Sequence, residues 1–126
     1  MFEVSVTGWF SAAHQLRLPG GELEPLHGHN WRVTVTCAGP TLDDMGVLLD
    51  FTRLKPRLVE ILATMHDRHL NDLPAFAARN PSAENVAVVI AEALCEGYPG
   101  RAFVRCVEVE ESPGCVARYF VDAPRS

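Results

Sequence analysis

No two cysteines in this 126-residue chain form a C-x-x-C pair, no segment approaches eighteen consecutive apolar residues, and lysine and arginine nowhere gather into a basic block. Each absence excludes something. Cys37, Cys95, Cys106 and Cys115 are scattered, so they read as reduced thiols of a cytoplasmic protein rather than a disulfide framework. A chain of this length buries about two thirds of its unfolded surface without staples, and it reads as one domain spanning residues 1–126. The lack of a long apolar run, and of a basic flank leading into one at the N-terminus, predicts neither export nor membrane spanning. A net charge of −5 without a basic block argues against a nucleic-acid partner, while leaving a small anionic substrate open.

What the chain does have is histidine in one place. Three of its five histidines fall in the stretch from Phe10 to Trp31, which begins F-S-A-A-H and ends E-P-L-H-G-H-N-W. In Phe2–Ala13 the even positions Phe2, Val4, Val6, Phe10 and Ala12 are apolar, a period-two pattern that predicts a strand, and His14 shares their parity. In Asn30–Ala38 the apolar set is odd, Trp31, Val33, Val35 and Cys37, again the parity of His27 and His29. If the two runs pair as an antiparallel hairpin, all three imidazoles leave the covered face and converge. Any one of them alone reads as a hydrogen-bonded core or loop residue. Together, with no fourth ligand at tight spacing, they resemble a catalytic zinc site with an open position more than a closed structural one.

The connection Gln15–Leu26, with Pro19-Gly20-Gly21 and Pro25, is too long for a tight turn and has room to shape a site. A helix is predicted near Arg53–Met65, capped by Thr52 or Arg53 with Pro56 in its first turn, and burying Leu54, Leu58, Ile61, Leu62 and Met65. After it, His66-Asp67-Arg68-His69-Leu70-Asn71-Asp72 is dense in ionisable groups and reads as a functional loop. Ser82 is the expected N-cap of a second helix whose stripe is Val86, Val89, Ile90, Ala93 and Leu94, stopped by Gly97 and Pro99. Phe103–Glu111 and Val116–Asp122 read as a second hairpin around Ser112-Pro113-Gly114. The order ββααββ predicts an α+β layer, one antiparallel sheet with both helices on one face. Its two unpaired edges predict a homo-oligomer. Glu111 shares the parity of Val107 and Val109, so it projects from the apolar face at a strand end, or else is a solvated turn acid beside Glu108 and Glu110.

The pieces F-S-A-A-H, H-G-H-N, M-G-V-L-L-D-F-T-R-L-K, H-L-N-D, N-P-S-A-E-N and V-E-E-S-P-G-C-V-A-R-Y resemble, in order and over Phe2 to about Val121, the 6-pyruvoyl-tetrahydropterin synthase and 6-carboxy-tetrahydropterin synthase family. The resemblance implies a tunnelling (T) fold, in which hairpins from several subunits form a barrel, usually a hexamer made of two trimers with active sites between subunits. It implies zinc on His14, His27 and His29, Glu111 as the pterin anchor, and Ser82 at the border of the same pocket.

Two departures matter. The family's usual general base is a cysteine four residues before the first histidine of H-G-H, and that position here is Leu23. Glu24 stands beside it in E-P-L-H-G-H, which is similar to a branch where a glutamate replaces the thiol and 7,8-dihydroneopterin triphosphate is cleaved to 6-hydroxymethyl-7,8-dihydropterin for folate synthesis. The alternatives are 6-carboxy-tetrahydropterin formation in the queuosine pathway, 6-pyruvoyl-tetrahydropterin formation, and a non-catalytic member that binds pterin or zinc. The second departure is the order His66-Asp67, where most members read Asp-His. The resemblance makes His66, Asp67 and His69 the candidates for returning the proton.

Overall fold

The computed structural model describes residues 1–95 and 102–122. Two long strands, β1 (Phe2–His14) and β2 (His27–Gly39), form the predicted hairpin, paired from Phe2↔Gly39 to His14↔His27. A helix α1 (Phe51–Ala63) follows, then a two-residue strand β3 (Arg68–His69), two short 3-10 turns at Leu70–Asp72 and Pro74–Phe76, and a second helix α2 (Ala83–Cys95). The hairpin β4 (Phe103–Ser112) and β5 (Cys115–Phe120) ends the order. Across the sheet the strands run β3-β1-β2-β4-β5.

The core sits between one face of this sheet and the two helices. Val6, Phe10, Trp31, Val33, Val35, Val107 and Val109 are buried from the strands, each on the parity that alternation predicts. Leu54, Leu58 and Leu62 of α1 and Val86, Ile90 and Leu94 of α2 close over them. Helix α1 lies on β1, and Gly8 is what lets it approach. A Cβ there would stand 2.8 Å from Leu62 Cδ1 and 3.4 Å from Leu58 Cδ2.

Three expectations need correction. The sheet is mixed rather than purely antiparallel, because Arg68 and His69 pair in parallel with Ala12 and Ala13. Two residues flanked by polar side chains give no period-two pattern, so the sequence carries no signal for this strand. Helix α1 begins two residues early: Asp50, not Thr52 or Arg53, is its N-cap, its carboxylate accepting from Thr52 N at 2.8 Å and Thr52 Oγ1 at 2.6 Å. Pro56 therefore stands inside the helix, past the first turn. The bond it forfeits is to the carbonyl of Thr52, on the exposed side, where water can satisfy the oxygen. The helix stop expected at Gly97 and Pro99 lies outside the described residues. Ser82 does cap α2, accepting from Asn85 N at 3.1 Å.

Candidate metal centre

The β1–β2 register sets the site. His14 faces His27 across the hairpin, and His29 faces Ala12, so the three rings share the helix-side face at one end of the sheet. Below them the Trp31 ring packs edge-on to both His14 and His29, with ring centroids 4.8 and 5.6 Å apart, and Trp31 Nε1 donates to Ala12 O at 3.2 Å. From β4 comes Glu111. It is the extra residue of a bulge, since Glu110 pairs with Val116 and Ser112 with Cys115, and its carboxylate reaches the imidazoles with the parity of buried Val107 and Val109. One ligand atom from each of His14, His27, His29 and Glu111 lies within 4.8 Å of the others.

Backbone carbonyls fix the tautomers. His14 Nδ1–H donates to Pro81 O at 2.7 Å, and His27 Nδ1–H donates to Pro25 O at 2.9 Å. Both Nε2 atoms are then lone-pair atoms, and they face each other at 3.0 Å. Glu111 Oε1 adds a further acceptor 2.8 Å from His14 Nε2 and 3.5 Å from His29 Nε2. His29 Nε2 is buried and has no hydrogen-bond partner. Burial holds the His29 imidazole below its ordinary pKa and so favours its neutral form; Glu111 opposes this, while His14 and His27 add to it. A metal ion held by the three imidazole nitrogens would separate these lone pairs, and nitrogen atoms about 3.3 Å apart suit tetrahedral coordination at about 2.05 Å.

The other predicted site residues divide into near and far. Glu24 is near enough that its charge acts on His29, and Oε1 of its half-buried side chain accepts from Leu16 N at 3.0 Å. Ser82 follows Pro81, whose carbonyl holds His14. His66, Asp67 and His69 do not join the cluster. His69 is in register with Ala13, of opposite parity to His14, and β3 lies at the outer edge of β1. What links it to the metal centre is a cleft of about 550 Å³ at the strand end, lined by Ser11, Asn30 and His29 on one side and by Asp67, Arg68 and His69 on the other.

Three consecutive loop residues are held on both backbone groups, which sequence reasoning missed. Asn71 accepts from Gln15 N and donates to Gln15 O; Asn80 does the same for Arg17; Glu24 accepts Leu16 N on its side chain while its own N–H donates to Leu16 O. Two asparagines and a glutamate thus add to the bridge between Arg17 and Leu23 in holding this segment, which sets where Glu24 stands. Asn71 in H-L-N-D and Asn80 before Pro81 were visible as polar residues at turns, but nothing local says which backbone they reach.

A layered sheet and helix pair that gathers imidazoles and a carboxylate at one sheet end defines a protein of the T-fold class with a site able to hold a metal ion. The family model described as 6-pyruvoyl tetrahydropterin synthase matches residues 3–122, and the chain belongs to that family. Among its relatives, a protein named dihydroneopterin monophosphate aldolase, from Pyrococcus furiosus, is 32% identical over 91 residues, covering 72% of this chain and 73% of that one. The 6-carboxy-5,6,7,8-tetrahydropterin synthase of Bacillus subtilis is 30% identical over 126 residues, covering 99% and 82%. The Caenorhabditis elegans 6-pyruvoyl tetrahydropterin synthase structure superposes with a TM-score of 0.82 at 25% identity over 96% of both chains. A Plasmodium vivax structure, described as a mutant in which a catalytic glutamate is replaced by alanine, gives 0.81 at 20% identity over 97% and 98%. The family members named here are pterin synthases and an aldolase.

Proposed function

We propose that this chain is a zinc-dependent lyase that cleaves the side chain of 7,8-dihydroneopterin triphosphate to 6-hydroxymethyl-7,8-dihydropterin. The observation that carries the metal half of the reading is the pair of Nε2 lone pairs 3.0 Å apart on His14 and His27, with both Nδ1 hydrogens committed to carbonyls. Zinc on His14, His27 and His29 would supply Lewis acidity toward the two side-chain hydroxyls of the substrate.

The rest is done by the chain's own residues. Glu111 accepts from the amidine-like N–H groups of the pterin ring and sets its orientation, with Ser82 at the border of the pocket. Glu24 is the base: Leu16 N–H holds its Oε1 and leaves Oε2 to accept a proton. That oxygen takes the proton of the side-chain hydroxyl farther from the ring. The carbon–carbon bond beside it breaks, a two-carbon aldehyde leaves with the triphosphate, and the carbon retained on the pterin gains a proton. Exposed Leu23, in the family's thiol position, has no atom that accepts one.

Support for cleavage comes from the relative named as an aldolase. The Plasmodium vivax glutamate is said of that protein, and at 20% identity only the fold carries over, so the case for Glu24 rests on its own loop. Alignment along 99% of this chain with a 6-carboxy-tetrahydropterin synthase supports the second reading, in which the product is the 6-carboxy compound. The protein acts as a cytoplasmic homo-oligomer, a hexamer of two trimers with sites shared between subunits; β1 beyond β3, and β5, are the edges available for assembly. Incubating the zinc-loaded protein with dihydroneopterin triphosphate and weighing the product tests the reading. A 6-hydroxymethyl product supports it, a 6-carboxy or 6-pyruvoyl product replaces it with the alternative, and bound pterin without turnover marks a non-catalytic member.

A further inference from the structure

We infer that the cleft at the strand end is a phosphate subsite, read by Arg68 from one wall and by the side-chain amide of Asn30 from the other, and that it holds a single phosphate. The chain then takes the monophosphate ester of the pterin as readily as the triphosphate. The inference rests on the lyase reading for the identity of the pterin, and on strand order and hydrogen bonding for the place of the phosphate.

Glu111 stands on β4, the three imidazoles on β1 and β2, and Arg68 on β3, and across the sheet these strands run β3-β1-β2-β4. Pterin anchor, metal centre and arginine therefore follow one another along one end of the sheet, over three strand spacings or roughly 14 Å. A substrate whose ring sits at Glu111 and whose hydroxyls sit at the imidazoles directs the far end of its side chain toward β3. One phosphate on that end completes the span. Further phosphates lie past β3, the outermost strand, in open water.

The cleft supplies donors from both sides. Ser11 Oγ donates to Asn30 Oδ1 at 2.6 Å, which fixes the amide and leaves its Nδ2 hydrogens for the cleft that Asn30 lines. On the opposite wall Arg68 is exposed, and among the described residues its guanidinium has no hydrogen bond or ion pair. Elsewhere in the fold Arg79, Arg105 and Arg118 pair with Glu92, Glu3 and Glu108, and Arg32 lies over the Trp9 ring. A guanidinium fork matches two oxygens of a phosphate, and an amide N–H adds a contact from the other side. His29 lines the same cleft, so the subsite opens onto the metal centre. Charge limits what it takes. Asp67 also lines the cleft, its side chain 78% exposed and Oδ2 3.3 Å from His66 Nε2, and it repels an anion. A single guanidinium beside a carboxylate has no surplus for the added charge of a triphosphate, and the chain as a whole carries −5.

Calorimetric titration of the zinc-loaded full chain with neopterin, neopterin monophosphate and neopterin triphosphate tests this. The monophosphate should bind about tenfold tighter than neopterin, the worth of charge-assisted contacts at an exposed site. The triphosphate should fall within about threefold of the monophosphate, because its outer phosphates meet no further partner. Arg68→Gln should remove most of the difference between the esters and neopterin while zinc content and neopterin affinity hold. Arg68→Lys should recover part of it, and Asn30→Ala should lose a smaller share. The quantity read is the ratio of ester to neopterin affinity within each variant, which a general weakening of the site leaves unmoved. A ratio that survives Arg68→Gln overturns the assignment, and a triphosphate that the parent holds more than about threefold tighter than the monophosphate overturns the single-phosphate reading. A parent that binds none of the three overturns the subsite and the pterin site together. Turnover is decided separately: if neither dihydroneopterin ester yields product, the lyase reading falls, while the affinity ratios still decide the subsite.

Discussion

Glu111→Gln separates two roles that lie side by side in the site. With Oε1 2.8 Å from His14 Nε2 and 3.5 Å from His29 Nε2, the carboxylate stands where either a fourth metal ligand or a pterin anchor would be. A fourth protein ligand would close the coordination sphere, which suits a structural site; an enzyme needs the open position, so we assign Glu111 to the pterin. The substitution keeps the shape and removes the charge. Hydrogen bonds to a charged partner contribute about 1.5–3 kcal/mol and neutral ones about 0.5–1.5, so two contacts stand to lose roughly 2–3 kcal/mol. The side chain is 29% exposed, and water moderates that loss. We therefore expect pterin affinity to fall about tenfold, near 1.4 kcal/mol. Elemental analysis of the purified variant, together with calorimetric titration of neopterin, reads both quantities. Unchanged zinc with weakened pterin binding is the expected pair. Loss of zinc would make Glu111 a ligand, and unchanged affinity would make it a surface acid; either result refutes the assignment.

Glu24→Gln should keep zinc and pterin binding while turnover falls by about 10²–10⁴, and Leu23→Cys should shift the product toward the 6-carboxy or 6-pyruvoyl compound; product mass and steady-state rates check both. Light scattering at micromolar protein should find a homo-oligomer, with a strict monomer counting against the shared site. At the other end of the molecule, Thr52 holds the Asp50 carboxyl below the usual carboxylate range, by its hydroxyl first and its N–H second. A lowered folded-state pKa contributes stability above the unfolded value and loses it as pH falls through the folded one. Asp50→Ala should therefore lower Tm at neutral pH, and the difference from the parent should vanish in acid below the usual carboxylate range.

The hairpin was legible because alternation over thirteen-residue strands puts Val6, Phe10, Trp31, Val33 and Val35 on one buried face, and the observed register brings His14 opposite His27. Glu111 was legible as an inward residue by the same parity. That it would be a bulge residue was not, since a bulge depends on how β5 closes on β4. The edge turn was the least legible. Whether His66 serves chemistry or Ser11 depends on a hydrogen bond across 55 positions, and Asp67 in a left-handed conformation follows from that contact rather than from its neighbours. Long-range polar contacts leave no period in a sequence, which is also why Asn71 and Asn80 escaped notice as the clamps of the Glu24 loop.

Metal content bears most directly on the whole reading. Elemental analysis of the purified parent chain beside His29→Ala should find stoichiometric zinc in the parent and none in the variant, because His29 Nε2 is a buried nitrogen of the cluster that makes no hydrogen bond. Stoichiometric zinc that survives His29→Ala, or a parent chain that takes up no zinc at all, would contradict the three-histidine centre from which the rest is argued.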